Sequence, residues 1–552
     1  MIGKSLPEYL FIRACIFLLQ YTTPICLAIL AAQVAVCGGL VAALSSLTGR
    51  LLLGYAVADA LYAVFVWRPY IRRLAEEAEH PPVPSRAERR AFLERCLAHM
   101  SDADRYLRLW FLGADASEIR RDNVRDFFLW AFFDRAPRPG LDGAEEPQVE
   151  EELDEYIALL ERRLGRRIEP GRGRADSLRL TLDEIETSYR SVIWYLLIGI
   201  VDIVTHFRLA RHGFTYHAQP RSAFLSVVPH RLQNLSAGRR SAAPDLGYWH
   251  RPHTAKNKRP LVFLHGIGVG LWTYVTLLSS LNEDAGDEGQ IGIIAIEYLP
   301  VSSRLTGPPL SRTEFLRQVT AILESHENDE GGWEDFALAS HSYGSVLTTH
   351  MFRSEVLGPR IAAVVLVDPV SILLHLPDVA FNFTRRRPRQ ANEWLLWYFA
   401  SMDPGVAHCL GRHFFWKDNI AWKEDLLGNE LPWSSARGNR ITGGEVVSDL
   451  GMDGSRPRRV AVCLAEQDLI VDTLAVANYL AGDEEWYQAS TAGRRQNKLE
   501  KAPLDKKDGH TGHMTKDGIE LLWFAGLDHA QVFDARESRE RLCRLVQRYC
   551  AK

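Results

Sequence analysis

The N-terminal part of the chain contains its longest stretch without a charged side chain. No Asp, Glu, Lys or Arg occurs between Arg13 and Arg50, and residues 24–47 are almost wholly apolar. This run exceeds the roughly 20 residues that a membrane-spanning helix needs. A cleaved signal peptide is the alternative, but its apolar core is only about 7 to 15 residues long and ends at a small-residue cleavage site. The pattern favours a transmembrane helix.

A second apolar run covers residues 51–67, contains Asp59 and is followed by a cluster of arginines. If both runs span, Lys4 and Arg13 precede the pair and the arginine cluster follows it, so that the positive-inside rule puts both ends in the cytosol. The other interpretation is that the second run lies in the membrane interface or packs on a neighbouring helix. We therefore expect residues 1–70 to anchor the protein through one or two transmembrane helices.

Residues 71–245 have mainly helical periodicity, with apolar positions three and four residues apart in residues 92–100. The aromatic-rich run 124–133 is more typical of a helical core than of a cofactor site. Residues 191–207 form a third apolar run, which contains Asp202 and is short for a membrane span. We expect this run to be a helix that lies against the following domain or dips into the membrane surface. The whole region is expected to be structural or regulatory.

From residue 246 the pattern changes to short apolar runs that alternate with helical segments. Such alternation predicts an α/β fold, a mainly parallel sheet with helices on both faces. The expected strands lie within residues 260–265, 291–299, 336–340, 361–368, 458–464 and 518–525. Between residues 371 and 456 the alternation stops, and aromatic and charged residues are interleaved instead. We expect this stretch to be an insertion in the fold.

Composition excludes several classes of protein. With 47% hydrophobic and 24% charged residues the chain is not disordered, and a net charge of −4 gives no case for nucleic-acid binding. The eight cysteines have no C-x-x-C pair or regular spacing, so neither disulfides nor a zinc site is indicated. A reducing, cytosol-facing environment is the simpler interpretation, although sequons at Asn234 and Asn382 keep a lumenal location open.

The strand predicted at 336–340 ends in Ser340-His341-Ser342-Tyr343-Gly344. Small residues two positions before and two after Ser342 allow a sharp turn into a helix, which is the form of a nucleophile elbow. The usual pattern is G-x-S-x-G, and Ser340 replaces its first glycine. About seventy residues upstream, another strand runs into His265-Gly-Ile-Gly268. Together, in this order, these elements resemble the α/β-hydrolase superfamily over residues 246–552.

The resemblance implies a fold and a set of catalytic residues. The insertion at 371–456 corresponds to the cap domain that covers the pocket. The nucleophile is Ser342. The triad acid is Asp468, in the loop after the strand at 458–464, with Asp472 as the fallback. The base is His529, in a loop resembling G-x-x-H-A. The order Ser, Asp, His along the chain is the one that this fold uses.

The expected oxyanion donors are the backbone N–H groups of Ile267 and Tyr343, and no cofactor or metal is needed. His265 and His341 are expected to pack the loops. With a membrane segment in front, the arrangement resembles fungal membrane-anchored α/β-hydrolases.

The expected function is a membrane-anchored serine hydrolase of the carboxylic ester hydrolase type. Phe and Trp residues in the cap indicate a lipid or other apolar acyl substrate, and the expected partners are membrane lipid and that ester. We expect an integral membrane protein inside the cell, with its catalytic domain facing the cytosol. Two alternatives stay open: an acyltransferase or peptidase with the same triad, and an inactive membrane-bound scaffold or binding protein.

Overall fold

The computed structural model describes residues 2–137, 147–283, 286, 289–327, 332–428, 458–482 and 512–552. In these residues a single ten-stranded sheet runs in the order β2-β1-β3-β5-β4-β6-β7-β8-β10-β9. The strands are β1 Thr215–Ala218, β2 Arg239–Arg240, β3 Gly247–Arg251, β4 Leu261–Leu264, β5 Ile293–Glu297, β6 Phe336–His341, β7 Ile361–Val367, β8 Arg459–Ala465, β9 His513–Met514 and β10 Ile519–Phe524.

The six strands from β5 to β10 in this order, β5-β4-β6-β7-β8-β10, are all parallel to their neighbours. β3 and β9 pair antiparallel at the two sides of this parallel block. Along β7, Val364 and Leu366 belong to the apolar core on one face, whereas Val365 and Val367 belong to the core on the other. Helices therefore cover both faces, as buried parallel strands require, and the predicted α/β fold with a mainly parallel sheet is confirmed.

The helices fall into a group before the sheet, a group among the first strands of the sheet and a group after β7. Those before the sheet are α1 Leu6–Cys37, α2 Leu40–Ser45, α3 Leu47–Tyr62, α4 Arg68–Leu74, α5 Arg86–Ala98, α6 Ala103–Trp110, α7 Arg121–Phe133, α8 Pro147–Leu164 and α9 Val192–Arg211. Those of the sheet region are α10 Gln233–Ser236, α11 Val275–Ser280, α12 Arg312–Glu324 and α13 Gly344–Phe352. Those that follow are α14 Pro377–Thr384, α15 Ala391–Leu396, α16 Pro404–His413, α17 Trp416–Asn419, α18 Lys423–Leu427, α19 Thr473–Ala481 and α20 Arg536–Cys550.

The sheet begins earlier in the chain than the pattern predicted. β1 and β2 lie before residue 246, yet both are hydrogen-bonded into the sheet. Their sequences, Thr-Tyr-His-Ala and Arg-Arg, lack the apolar run by which the central strands were recognised. The division into residues 1–70, 71–245 and 246–552 otherwise stays a prediction. In the predicted cap at 371–456, the described residues form α14 to α18, and residues 429–457 lie outside the described part.

Among the residues that the structure describes, three helical stretches are long and apolar enough to cross a membrane: α1, Leu47–Leu74 and α9. Asp59 connects all three. Its carboxylate accepts hydrogen bonds from Thr23 Oγ1 on α1 (2.6 Å) and from the backbone N–H of Val192 at the start of α9 (2.9 Å). The Asp59 side chain thus accepts a hydrogen bond from an N–H group at the start of α9 that would otherwise be unpaired.

The first half of α1 packs on the predicted cap. Ile12 and Ile16 are buried in a cluster with Tyr398, and the Arg13 guanidinium lies 3.7 Å from the ring centre of Trp394. Near the start of the chain, Lys4 Nζ donates a hydrogen bond to the side chain of Gln467 (3.0 Å). The first membrane candidate is therefore also a packing element of the folded domain.

One face of α9 is fixed to the domain by a buried ionic network. Asp202, at the middle of the helix, accepts hydrogen bonds from Arg231 Nε (3.0 Å) and Arg304 Nη2 (2.7 Å), and Arg231 also pairs with Glu297 at the end of β5 (2.7 Å). The opposite face exposes large apolar side chains, namely Leu196, Leu197, Ile200, Ile203, Val204 and Phe207. Because β1 begins only four residues after α9 ends, this helix lies along the domain, as the sequence predicted.

Candidate active site

Ser342 lies on a sharp turn between β6 and α13. Its φ of 50° is in the left-handed region. This conformation is unfavourable for residues other than glycine, and where it occurs it is often at a functional site. A Cβ at Gly344 would lie 2.5 Å from the carbonyl oxygen of Leu264, so only glycine fits there. At Ser340, where the usual motif has glycine, the hydroxyl accepts a hydrogen bond from Thr348 Oγ1 (2.9 Å). The predicted elbow geometry is therefore present despite the serine.

His529 and Asp468 complete a hydrogen-bonded chain with this serine. His529 Nε2 lies 2.9 Å from Ser342 Oγ, and His529 Nδ1 lies 2.7 Å from Asp468 Oδ2. An ionised carboxylate only accepts hydrogen bonds, so Nδ1 carries the proton of the neutral imidazole and Nε2 is left to accept the serine proton. All three residues come from loops at the carboxyl ends of β6, β8 and β10, where α/β proteins usually place their sites.

The structure brings Asp468, and not Asp472, to the histidine. Asp468 Oδ1 accepts hydrogen bonds from the N–H groups of Ile470 (2.8 Å) and Val471 (2.9 Å), which fixes the carboxylate. Asp472 instead caps the N-terminus of α19 and lies 3.6 Å from Arg105. The sequence could not distinguish Asp468 from Asp472, because the two are four residues apart and both follow β8.

A second carboxylate close to His529 was missed by sequence reasoning. Asp368, at the end of β7, is fully buried and has a φ of 44°. Its Oδ1 accepts from the N–H of Ala465 (3.0 Å) and its Oδ2 from the N–H of Ala530 (2.9 Å). It therefore connects the loop that leads to Asp468 with the loop that carries His529. The available signal was an aspartate at the carboxyl end of a buried strand next to the elbow.

These carboxylates act on the charge of the imidazole. Burial alone lowers the pKa of His529, but Asp468, through its charge and hydrogen bond, and the charge of Asp368 together raise the pKa above the usual value for histidine. Burial raises the pKa of Asp368 above that of an ordinary carboxyl. The site thus favours the protonated imidazole, the form that arises when the histidine takes up a proton.

The two other histidines pack the loops, as expected. His265 Nε2 accepts a hydrogen bond from the N–H of Tyr298 (2.9 Å). His341 Nδ1 is hydrogen-bonded to the hydroxyl of Tyr274 (2.7 Å), and burial lowers the pKa of His341 well below its usual value. Neither ring is hydrogen-bonded to Ser342 in the described residues.

The glycine loop passes directly over the elbow. The N–H of Gly266 donates to the hydroxyl of Tyr274 (3.1 Å). A Cβ at Gly266 would lie 2.7 Å from His341 Nδ1 and 2.9 Å from the Cβ of Ser342. In the described part of the chain no hydrogen bond uses the backbone N–H of Ile267 or Tyr343, and both residues line the same cavity as Ser342. Two N–H groups near the serine are therefore available to a ligand oxygen.

That cavity has a volume of about 640 Å³, solvent at its mouth included, and its lining is almost entirely apolar. The predicted cap contributes Phe383, Leu410 and Phe414 among others. Trp110 on α6 and Trp130 on α7 also line it. The region that the sequence assigned a structural or regulatory role therefore forms part of the pocket wall. Its aromatic run does pack as core, but it reaches the site as well.

Two groups of side chains in the described residues have metal-ligating types close together. One is Asp368, Asp468 and His529, in which both imidazole nitrogens already have protein partners. The other is a buried group of His217, His250 and His326, in which the hydroxyl of Tyr248 lies 2.9 Å from His217 Nδ1 and from His326 Nε2. A tyrosine hydroxyl thus lies between two of these histidines.

Comparison with solved structures finds proteins that are similar to this chain at low sequence identity. A membrane phospholipase A, described as a bacterial virulence factor, is 10% identical, with a TM-score of 0.33, and the match covers 65% of this chain and 94% of that one. For carboxylesterase CesB of Bacillus subtilis the values are 11%, 0.29, 64% and 98%, and for an esterase of Rhizomucor miehei 14%, 0.28, 55% and 78%. At these values the similarity carries no inference about activity. No curated protein matches the chain.

The sequence model of the alpha/beta hydrolase family matches residues 261–519, a range that begins at β4 and ends at the start of β10. It includes Ser342 and Asp468, whereas His529 lies beyond it. The match supports a hydrolase, and the expected likeness to fungal membrane-anchored members stays a prediction. Residues 261–519 belong to the α/β-hydrolase superfamily.

Proposed function

We propose that this protein is a membrane-attached serine hydrolase that cleaves a carboxylic ester with an apolar acyl part. The observation that carries the proposal is the continuous hydrogen-bonded chain from Ser342 Oγ through His529 to Asp468, with distances of 2.9 and 2.7 Å. Asp468 and His529 are 61 positions apart in sequence and Ser342 and His529 are 187 apart, yet the three residues meet with the geometry that nucleophile activation requires.

In this mechanism Ser342 Oγ attacks the carbonyl carbon of the ester while His529 Nε2 removes its proton. The backbone N–H groups of Ile267 and Tyr343 hold the oxyanion, and the latter lies at the start of α13, where the helix dipole favours negative charge. The imidazolium then protonates the departing alkoxide, leaving an acyl-serine. Water, deprotonated by the same nitrogen, releases the carboxylic acid. Asp468 holds the imidazole tautomer and stabilises its charged form, and no cofactor enters the scheme.

The apolar lining of the cavity supports an acyl chain as the part of the substrate that is bound. Apart from Ser342 and Thr384, every side chain that lines the cavity is apolar or aromatic. Ligand pockets usually combine such a lining with a few polar groups that fix orientation. Here those polar groups are the nucleophile and the oxyanion donors, so the ester carbonyl is oriented and the chain is bound by burial.

The test is labelling with a fluorophosphonate probe, which reacts only with an activated serine. Wild-type protein in membranes should be labelled, and Ser342→Ala and His529→Ala should not be. The control is Ser371→Ala, which changes a buried serine whose hydroxyl has no partner among the described residues; this variant should label normally. If folded wild-type protein is not labelled, the inactive scaffold becomes the better interpretation.

Membrane attachment is proposed to use α1, α3 and the exposed face of α9 together. The ionic network around Asp202 fixes one face of α9 to the domain, and Asp59 fixes its start to α1 and α3. The face that is left carries large apolar side chains such as Ile200 and Phe207, exposed by 56% and 67%, and ends at the exposed Arg211. An apolar face of this size next to apolar anchoring helices fits the hydrocarbon boundary of a bilayer. In this arrangement α9 lies along the membrane and does not cross it.

The catalytic domain is proposed to face the cytosol. The basic residues that flank the two N-terminal runs favour this side. The sequons add no support for the lumen, because Asn234 is buried and accepts a hydrogen bond from Tyr216 (2.9 Å), and the Asn382 amide donates to the Ile470 carbonyl (3.0 Å).

Cysteine accessibility tests both proposals. In a Cys37→Ser background, Phe207→Cys should resist a membrane-impermeant maleimide until detergent is added, whereas Arg317→Cys, on the exposed side of α12, should react in open membranes. Equal reaction of Phe207→Cys before and after detergent would contradict the membrane role of α9. Reaction of Arg317→Cys in intact cells would contradict the cytosolic orientation.

A further inference from the structure

Asp528, the residue directly before His529, is a buried carboxylate that the proposed mechanism does not use. Its Oδ1 accepts hydrogen bonds from the backbone N–H of His529 (2.7 Å) and from the N–H of Leu469 (2.9 Å), the residue after Asp468. The carboxylate therefore joins the loop of the catalytic base to the loop of the triad acid. Asp368 joins the same two loops from the end of β7.

The other oxygen of Asp528 is held from the predicted cap. Asn392, a buried residue on α15, donates a hydrogen bond from Nδ2 to Asp528 Oδ2. A second side chain of the predicted cap contacts the acid loop, since Arg386 Nη2 donates to the backbone carbonyl of Leu469 (2.6 Å). The predicted cap is thus hydrogen-bonded to both catalytic loops, at the residues next to the triad acid and the base.

The helix that carries Asn392 is itself fixed by packing. Ala391, the residue before it, is buried in one apolar cluster with Ile12 and Ile16 of α1. A hydrogen bond from a packed helix restrains its acceptor more than one from an exposed, mobile side chain, because less conformational freedom remains to be lost. Asn392 therefore connects a rigid part of the fold to the loop of the catalytic base.

We propose that Asp528 and Asn392 are positioning residues, through which α15 holds the loops of Asp468 and His529 in the arrangement that the triad needs. The inference rests on the proposed function for the reaction whose rate it affects. A misplacement of about 1 Å in a catalytic group can lower the rate by about 100-fold. Neither positioning residue lines the cavity at the nucleophile, so their loss should lower kcat and leave KM unchanged.

The first test measures kcat and KM of full-length protein in detergent with a p-nitrophenyl ester. Asn392→Ala and Asp528→Ala should each lower kcat by about 10- to 100-fold and leave KM unchanged. Asn419→Ala is the matched control, because it removes another buried asparagine of the predicted cap, which pairs with His350 Nε2 (2.9 Å) and not with a catalytic loop. This control should lose stability and keep its kcat.

Exchange of the two polar groups separates positioning from a general loss of packing. An amide can donate or accept, whereas an ionised carboxylate only accepts. Asn392→Asp therefore places two acceptors face to face and should lower kcat. Adding Asp528→Asn restores a donor to the pair and should return kcat to within about threefold of wild type, a difference of less than 1 kcal/mol. Equal kcat of Asn392→Asp with and without Asp528→Asn would overturn the inference, as would an unchanged kcat in Asn392→Ala.

Hydrogen–deuterium exchange separates this inference from the proposed function, because it needs no hydrolysis. In a Ser342→Ala background, Asn392→Ala should speed the exchange of backbone amides in residues 466–472 and 527–531, and Asn419→Ala should not. Exchange that stays the same in both loops would overturn the inference. Wild-type protein that hydrolyses no ester, together with faster exchange in Asn392→Ala, would reject the hydrolase and support the hold of α15 on the two loops.

Discussion

Replacing Asp368 with asparagine should move the pH dependence of the reaction to lower pH. Only neutral His529 can take the proton of Ser342, so activity is lost as pH falls through the pKa of the imidazole. The charge of Asp368 contributes to raising that pKa. Its removal therefore lowers the pKa of His529, and the acid side of the profile moves to lower pH.

The size of the shift follows from the geometry. A carboxylate oxygen of Asp368 lies within 4.8 Å of a His529 nitrogen. Two unit charges at this distance interact by about 3.5 kcal/mol with an effective dielectric constant of about 20, which corresponds to about 2.5 pKa units. Burial raises the pKa of Asp368 to about 7, which is below the pKa of His529, about 9, so Asp368 is ionised where His529 titrates. Removal of its charge should therefore lower the pKa of His529 by about two to three units.

The assay is kcat/KM for a soluble p-nitrophenyl ester between about pH 5 and pH 10. The asparagine side chain keeps only one acceptor for the N–H groups of Ala465 and Ala530, so the free energy of unfolding should fall by about 1 to 3 kcal/mol. Labelling by the fluorophosphonate probe at high pH verifies that the variant is folded. Asp472→Asn is the control, and its profile should match wild type. An acid limb that stays in place in folded Asp368→Asn would refute the electrostatic reasoning, and inactivity of Asp472→Asn would refute the choice of triad acid.

Three other substitutions test separate parts of the structure. Gly266→Ala forces the glycine loop away from Ser342 and should lower kcat by about 100- to 1000-fold through the lost oxyanion donor; a near-normal kcat would show that this loop is not in the oxyanion site. Arg231→Ala removes a positive charge that pairs with the buried carboxylates of Asp202 and Glu297, and should lower the free energy of unfolding by about 3 to 5 kcal/mol. The loss is measured as a lower thermal transition temperature in detergent, and an unchanged transition would contradict the expectation. Ser340→Gly restores the usual elbow motif and should keep kcat/KM within about threefold while losing about 1 kcal/mol of stability from one hydrogen bond; a large loss of activity would assign Ser340 a direct role.

Local sequence signals predicted the parts of the site that lie at strand ends. A buried apolar run that stops at Ser342, and another that stops at a glycine loop, are each readable from a few adjacent residues. The order of Ser342, Asp468 and His529 then followed from the resemblance. Only the structure distinguishes Asp468 from Asp472, because the choice depends on the direction of the loop after β8.

Long-range packing accounts for what the sequence did not predict. Trp110 and Trp130 occupy helical core positions whose periodicity is the same whether the neighbour is another helix or a cavity. Asp368 looks like an ordinary strand end until its two N–H partners, more than ninety positions away, are known. β1 and β2 are too short and too polar to be distinguished from loops.

The packing of α1 on the predicted cap has a practical consequence for purification and for proteolytic release. Loss of the first helix would uncover the apolar side chains around Tyr398, including Trp394 under Arg13. It would also remove the contact between Lys4 and Gln467, the residue directly before Asp468. A fragment without the first helix would therefore expose an apolar surface that favours aggregation, and the loop that carries Asp468 would lose one of its contacts. The proposed hydrolase activity should therefore persist only while the first helix stays in place.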